Sequence, residues 1–124
     1  PLRIESVQNA TDQAKTVAQA ICNKASAYTA LPWFWSDQYD AKLQIAGLST
    51  GYDEVVVRQE SDTSLAAFYF AKERLIAVDT INQPKSFMVA RKYLPTLPNI
   101  DKTLLADPDV AVSDIFTGAE ACLT

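Results

Sequence analysis

The sequence predicts an α+β domain: an antiparallel sheet with helices packed on one side, preceded by a detached N-terminal helix. Three observations carry this. Between Trp33 and Thr80 the chain is rich in β-branched and aromatic residues and is interrupted by short polar joints. From Pro84 the apolar spacing changes to three and four residues. Ahead of Pro32 a separate stretch carries its own helical stripe.

The first helix is expected over Asn9 to Asn23, where Ala10, Ala14, Val17, Ala18 and Ile21 form one apolar stripe. Asp12, Lys15, Thr16 and Gln19 take the other side, and Ser6 or Asn9 supplies the cap. Lys24 to Pro32 reads as a small-residue linker. From Trp33 the pattern turns to strand, with segments at Tyr39 to Ala46, Glu54 to Arg58, Ser64 to Ala71 and Arg74 to Thr80. The joints Asp62-Thr63 and Lys72-Glu73 are short, so the last three strands should form an antiparallel meander. Pro84 suits the first position of a helix, because its missing N–H has no role there. Pro95 and Pro98 end that helix, and shorter helices are expected near Lys102 to Leu105 and Val112 to Ala121.

The 124 residues suit one domain with a real core. The net charge of −4 and the absence of a basic cluster argue against nucleic-acid binding. No apolar run is long enough to span a membrane, and the N-terminus lacks a signal-peptide pattern. A chain beginning with Pro1 is expected to be a piece of a longer, cytoplasmic protein. Cys22 and Cys122 show no metal-ligand spacing; they read as reduced thiols, with a disulfide between them as the alternative. The chain has no histidine, which removes the commonest general base and metal ligand. Its three glycines form no phosphate-cradling motif, so any dinucleotide would be held mainly outside this chain.

Two stretches stand out. Leu31 to Asp40, LPWFWSDQYD, places both tryptophans two residues apart, on one side of an extended segment. They serve either as packing or as an aromatic wall for a planar ligand. Arg3 to Ala14, RIESVQNATDQA, leads a polar arm into a helix N-terminus. That terminus is either a plain cap or a receiver of carbonyl oxygens or phosphate.

Together these stretches resemble the C-terminal part of the FAD-dependent ferredoxin reductases of bacterial oxygenase systems, the family of putidaredoxin reductase and biphenyl dioxygenase ferredoxin reductase. The resemblance rests on RIESVQNATDQA at 3–14, PWFWSDQYD at 32–40, LQIAGLSTGYDEVVVR at 43–58, FYF at 68–70 and LIAVDTINQPKSFM at 75–88. It extends into LPTLPNIDKTLLADPDV near the C-terminus and so covers nearly the whole chain.

The resemblance implies a glutathione-reductase-like C-terminal domain at 32–124, with residues 1–31 as the end of the FAD-binding domain, its last helix and a linker. It implies that the backbone around Val7, with Ser6, Gln8 and Asn9, meets the pyrimidine edge of the flavin. Trp35 takes the place of the tryptophan beside the flavin ring. Family members usually carry Pro after the valine; Gln8 here loosens that turn but keeps its backbone contacts. A helix N-terminus facing the flavin's O2 side would stabilise negative charge on the reduced ring. The implied reaction passes electrons from NADH or NADPH through FAD to a 2Fe–2S ferredoxin, and such reductases need no catalytic histidine. No catalytic residue is therefore expected in this chain. Lys15, on the polar side of the first helix, is a candidate contact for an acidic ferredoxin. The remaining domains of the parent are the other expected partner, and a homodimer is a further one.

Two other readings stand beside this one: a noncatalytic interface module, and an aromatic-walled module for sugars or peptides.

Overall fold

The computed structural model describes residues 2–96 and 99–121. Helix α1 spans Val7–Ile21, and strands β1 Trp33–Gln38, β2 Ala41–Gly47, β3 Glu54–Ser61, β4 Ser64–Ala71 and β5 Arg74–Ile81 follow. Helices α2 Pro84–Tyr93, α3 Lys102–Ala106 and α4 Val112–Ala121 complete the order. The strands form one antiparallel sheet in the order β1-β2-β5-β4-β3, so β3, β4 and β5 are the expected meander.

The hairpins follow from local chemistry. Lys72 and Glu73 both adopt positive φ, which matches the right-handed twist of the flanking strands. Tyr39 also has a positive φ, of 56°, and stands fully exposed in the turn between β1 and β2. The strand expected from Tyr39 therefore begins at Ala41, and Trp33 to Gln38 forms a strand of its own paired with it. At the end of β2, Gly47 has a φ of 81°, and a Cβ there would lie 2.2 Å from the Ile76 carbonyl oxygen. Only glycine fits that close approach.

Alternation then sorts the sheet into two faces. One cross-strand row is Trp33, Ala46, Val78, Phe68 and Val56. The next row on that face is Trp35, Gln44, Thr80, Ala66 and Arg58. This face meets α2, α3 and α4, and Phe68, Phe70, Phe87, Leu105 and Phe116 fill the space between. Removing any of these phenylalanines to Ala would cost about 3–5 kcal/mol. On the opposite face, Phe34, Ile45, Asp79, Ala67 and Val57 form a row that α2, α3 and α4 leave uncovered, with Phe34 and Val57 exposed.

Arg58 is 2% exposed, an unusual place for a guanidinium. It is satisfied by donating to the carbonyls of Asp107, Pro108 and Val110 and to the Glu60 carboxylate. It thereby ties β3 to the α3–α4 connection. Lys102, on α3, bridges Glu54 and Glu73 at 2.6 and 2.8 Å.

Helix α1 starts two residues earlier than the periodicity suggests. Ser6 is the cap, its Oγ accepting from the Asn9 N–H at 3.1 Å. The apolar stripe of α1 is exposed, Ile21 to 78%, while its polar N-terminal turn is buried. The alternative disulfide falls outside the described residues, because Cys122 does; Cys22 is exposed.

Candidate functional site

The N-terminal turn of α1 and the edge strand β1 meet through Gln8. Its Oε1 accepts from the Trp33 N–H at 3.3 Å, and its Nε2 donates to Asp12 at 2.5 Å. Asn9 braces the same turn. Its Nδ2 donates to the Ile4 carbonyl at 2.7 Å, while its Oδ1 accepts from Gln13 Nε2 and from the Tyr28 hydroxyl, each at 3.0 Å. The side chains of Gln8 and Asn9 are thus buried and fully engaged within the chain. What the turn offers outward is backbone: helix geometry leaves the N–H groups of Val7 and Gln8 without an intrahelical acceptor. Val7 itself is 66% exposed. Such a turn can receive an anionic or carbonyl oxygen against the positive end of the helix.

Beside it stands an aromatic group. Trp33 and Trp35 lie on one side of β1 with ring centroids 5.3 Å apart and planes 29° apart. Phe87 of α2 closes on Trp33 at 5.9 Å, and the Arg91 guanidinium lies 4.5 Å from the Trp33 ring centroid. Trp33 is therefore enclosed, whereas Trp35 remains 40% exposed and presents an indole outward. A cleft of about 290 Å³ runs between the N-terminal arm and the β1–β2 edge, lined by Ile4, Glu5, Ser6, Trp33, Phe34 and Gly47 among others.

Four of the five expected flavin-side residues, Ser6, Val7, Gln8 and Asn9, thus form one turn hydrogen-bonded to the strand that carries the fifth, Trp35. Lys15 is exposed on α1 and has no ion-pair partner among the described residues; Asp12, a possible partner one turn back, accepts from Gln8 instead. A larger depression of about 1160 Å³ lies between the start of α2 and the 108–113 segment, and none of these residues lines it. Its wall includes Gln83, whose Nε2 is buried without a partner. The sequence reading missed Arg91. Its position four residues after Phe87 puts both on one side of α2, a signal present in the sequence but silent about Trp33.

On the uncovered sheet face the Tyr69 hydroxyl donates to Asp79 at 3.0 Å, with Tyr52 edge-on to the Tyr69 ring. Burial raises the pKa of both: Asp79 is pushed up by desolvation, partly offset by the Tyr69 bond, and Tyr69 by desolvation and by the adjacent carboxylate.

The architecture and these residues can be set against known proteins. The family model described as "Reductase C-terminal" matches residues 33–116. Putidaredoxin reductase CamA of Pseudomonas putida is 39% identical over 99% of this chain and 29% of its own length. A ferredoxin–NAD(P)+ reductase of a Sphingomonas species is 40% identical over 98% of the chain and 29% of its length. Among solved structures, the covalent putidaredoxin reductase–putidaredoxin complex superposes with a TM-score of 0.88 at 41% identity, over 97% of this chain and 29% of that one. The chain spans under a third of the length of the relatives it matches. With the matched segment running from the first residue of β1 to Phe116 in α4, the chain belongs to the reductase C-terminal family.

Proposed function

We propose that this chain is the C-terminal part of an FAD-dependent NAD(P)H:ferredoxin reductase, in which it completes the flavin site and the ferredoxin-facing surface. The observation that carries the reading is the Gln8–Trp33 hydrogen bond, which joins an open helix N-terminus to the strand bearing an exposed indole. The residues fit the group. The Val7 and Gln8 N–H groups would receive the pyrimidine oxygens, and Trp35 would lie against the ring. FAD, when bound, supplies the hydride-accepting and one-electron chemistry. The chain's own part is to orient the ring, to place a helix dipole at its electron-rich edge and to exclude water with Trp35. NADH or NADPH would bind a preceding domain, and a 2Fe–2S ferredoxin would dock near Trp35 and Lys15. In this reading residues 1–31 close the FAD-binding domain and 32–124 form the C-terminal domain of a cytoplasmic enzyme.

The test is Trp35→Ala in the reductase that contains this chain. Steady-state ferredoxin reduction should fall more than flavin reduction by NAD(P)H measured in a stopped-flow instrument. Equal losses in both would refute a partner-side role. A second reading, a noncatalytic interface module, is favoured by the bare sheet face and the exposed stripe of α1. Unchanged kinetics in Trp35→Ala would leave that reading standing.

A further inference from the structure

Trp35 has an orientation problem. It sits on the edge strand with one face to solvent, and the ring contact the structure records for it is Trp33. A side chain so placed is only as fixed as its neighbour. Trp33 in turn is held from α2, by Phe87 below and by the Arg91 guanidinium 4.5 Å from its ring centroid. Arg91 is exposed and has no carboxylate within ion-pair distance among the described residues. Its charge is therefore directed at the indole, which attracts a cation to its face. We infer that Arg91 is a positioning residue: it holds Trp33 by cation–π contact, and through the stacked pair it fixes the exposed ring of Trp35.

This rests on the reading of Trp35 as the flavin- and partner-facing side chain only for its kinetic consequence; the geometric claim stands alone. The chain contains two tryptophans, so every tryptophan signal comes from this pair. Stacked indoles at this separation couple their transitions and give a paired circular-dichroism band in the far ultraviolet. Arg91→Met keeps the length of the stem and removes the charge, whereas Arg91→Lys keeps a cation. An exposed cation–π contact shifts a rotamer population by about two- to fivefold. Arg91→Met should therefore lower the ratio of stacked to unstacked pair about two- to fivefold, read as a weakened paired band together with raised acrylamide quenching of tryptophan fluorescence. Arg91→Lys should recover most of both. Because Arg91 is exposed, the fold should persist, which the urea midpoint checks.

In the intact reductase, Arg91→Met should slow ferredoxin reduction more than flavin reduction by NAD(P)H, in the same sense as Trp35→Ala and to a smaller extent, again with rescue by Arg91→Lys. A full paired band in Arg91→Met overturns the proposal, and so does a lost band with unchanged ferredoxin turnover where Trp35→Ala is impaired. If Trp35→Ala is itself silent, the flavin reading has failed, and the band alone decides for or against Arg91.

Discussion

Gln8→Leu separates the anchoring of α1 from the stability of the core. The leucine keeps most of the side-chain volume and removes both hydrogen bonds. The bond from the Trp33 N–H is 3.3 Å long, at the weak end of the range, and its loss also strands a half-buried amide. The bond to Asp12 is short, but Asp12 is only half-buried and its carboxylate can turn to water. The net effect should be about 1–2 kcal/mol, most of it from the stranded amide. That corresponds to roughly a 5–30-fold rise in opening of the α1 turn from β1.

Amide hydrogen exchange on this chain reads the effect residue by residue. Protection of Trp33 and of the α1 amides should fall by that factor, while Phe68 and Val78, central in the β4–β5 ladder, should not change. Gln8→Glu provides the control, since a carboxylate still accepts from Trp33 while facing Asp12. It should keep Trp33 protection and lose that of α1. Unchanged protection at Trp33 in Gln8→Leu, or a uniform fall across the sheet, would refute the role assigned to this side chain.

Arg58→Met should lower stability by about 3–5 kcal/mol, seen as a reduced urea midpoint, because three carbonyls and Glu60 lose a shared buried donor. Tyr69 titrates above its ordinary 10.0 in the folded chain, so its contribution is complete below pH 10 and is lost as pH rises through the raised value. Tyr69→Phe should therefore flatten that part of the alkaline stability profile, and an identical alkaline fall in both proteins would contradict the assignment. Lys15→Glu in the intact reductase should raise the ferredoxin KM at low salt and converge on the parent value as salt is added; an unchanged KM at low salt removes Lys15 from the docking surface.

The parts of the fold legible in the sequence are those fixed by local rules. Pro84 opens α2 at the position its ring favours, and the polar pairs Asp62-Thr63 and Lys72-Glu73 close two hairpins. The spacing of Trp33 and Trp35 does place them on one side. The split between β1 and β2 was hidden because a positive φ at Tyr39 is not signalled by the residue type. Arg58 was hidden for a different reason. Its acceptors lie 49 to 52 residues away, and only the folded connection between α3 and α4 brings three carbonyls to one guanidinium. Arg91 follows the same logic, since its ring partner is set by how α2 crosses the sheet.

Helix α1 inverts the usual amphipathic arrangement, and that inversion bears on the site. An isolated domain would be expected to turn Val17 and Ile21 inward, since burying such a side chain stabilises by about 1.5–3 kcal/mol. Here the polar turn of Gln8 and Asn9 is what docks, and the apolar stripe stays outside. The packing of α1 on β1 is therefore specified at one end, by the Gln8–Trp33 hydrogen bond with its defined direction. That bond ties the turn that carries the free N–H groups to the strand that carries Trp35. The stripe remains available to a neighbour, which can settle the rest of the helix without disturbing that turn. The geometry of the candidate site is thus a property of this chain's own contacts, whatever covers the stripe.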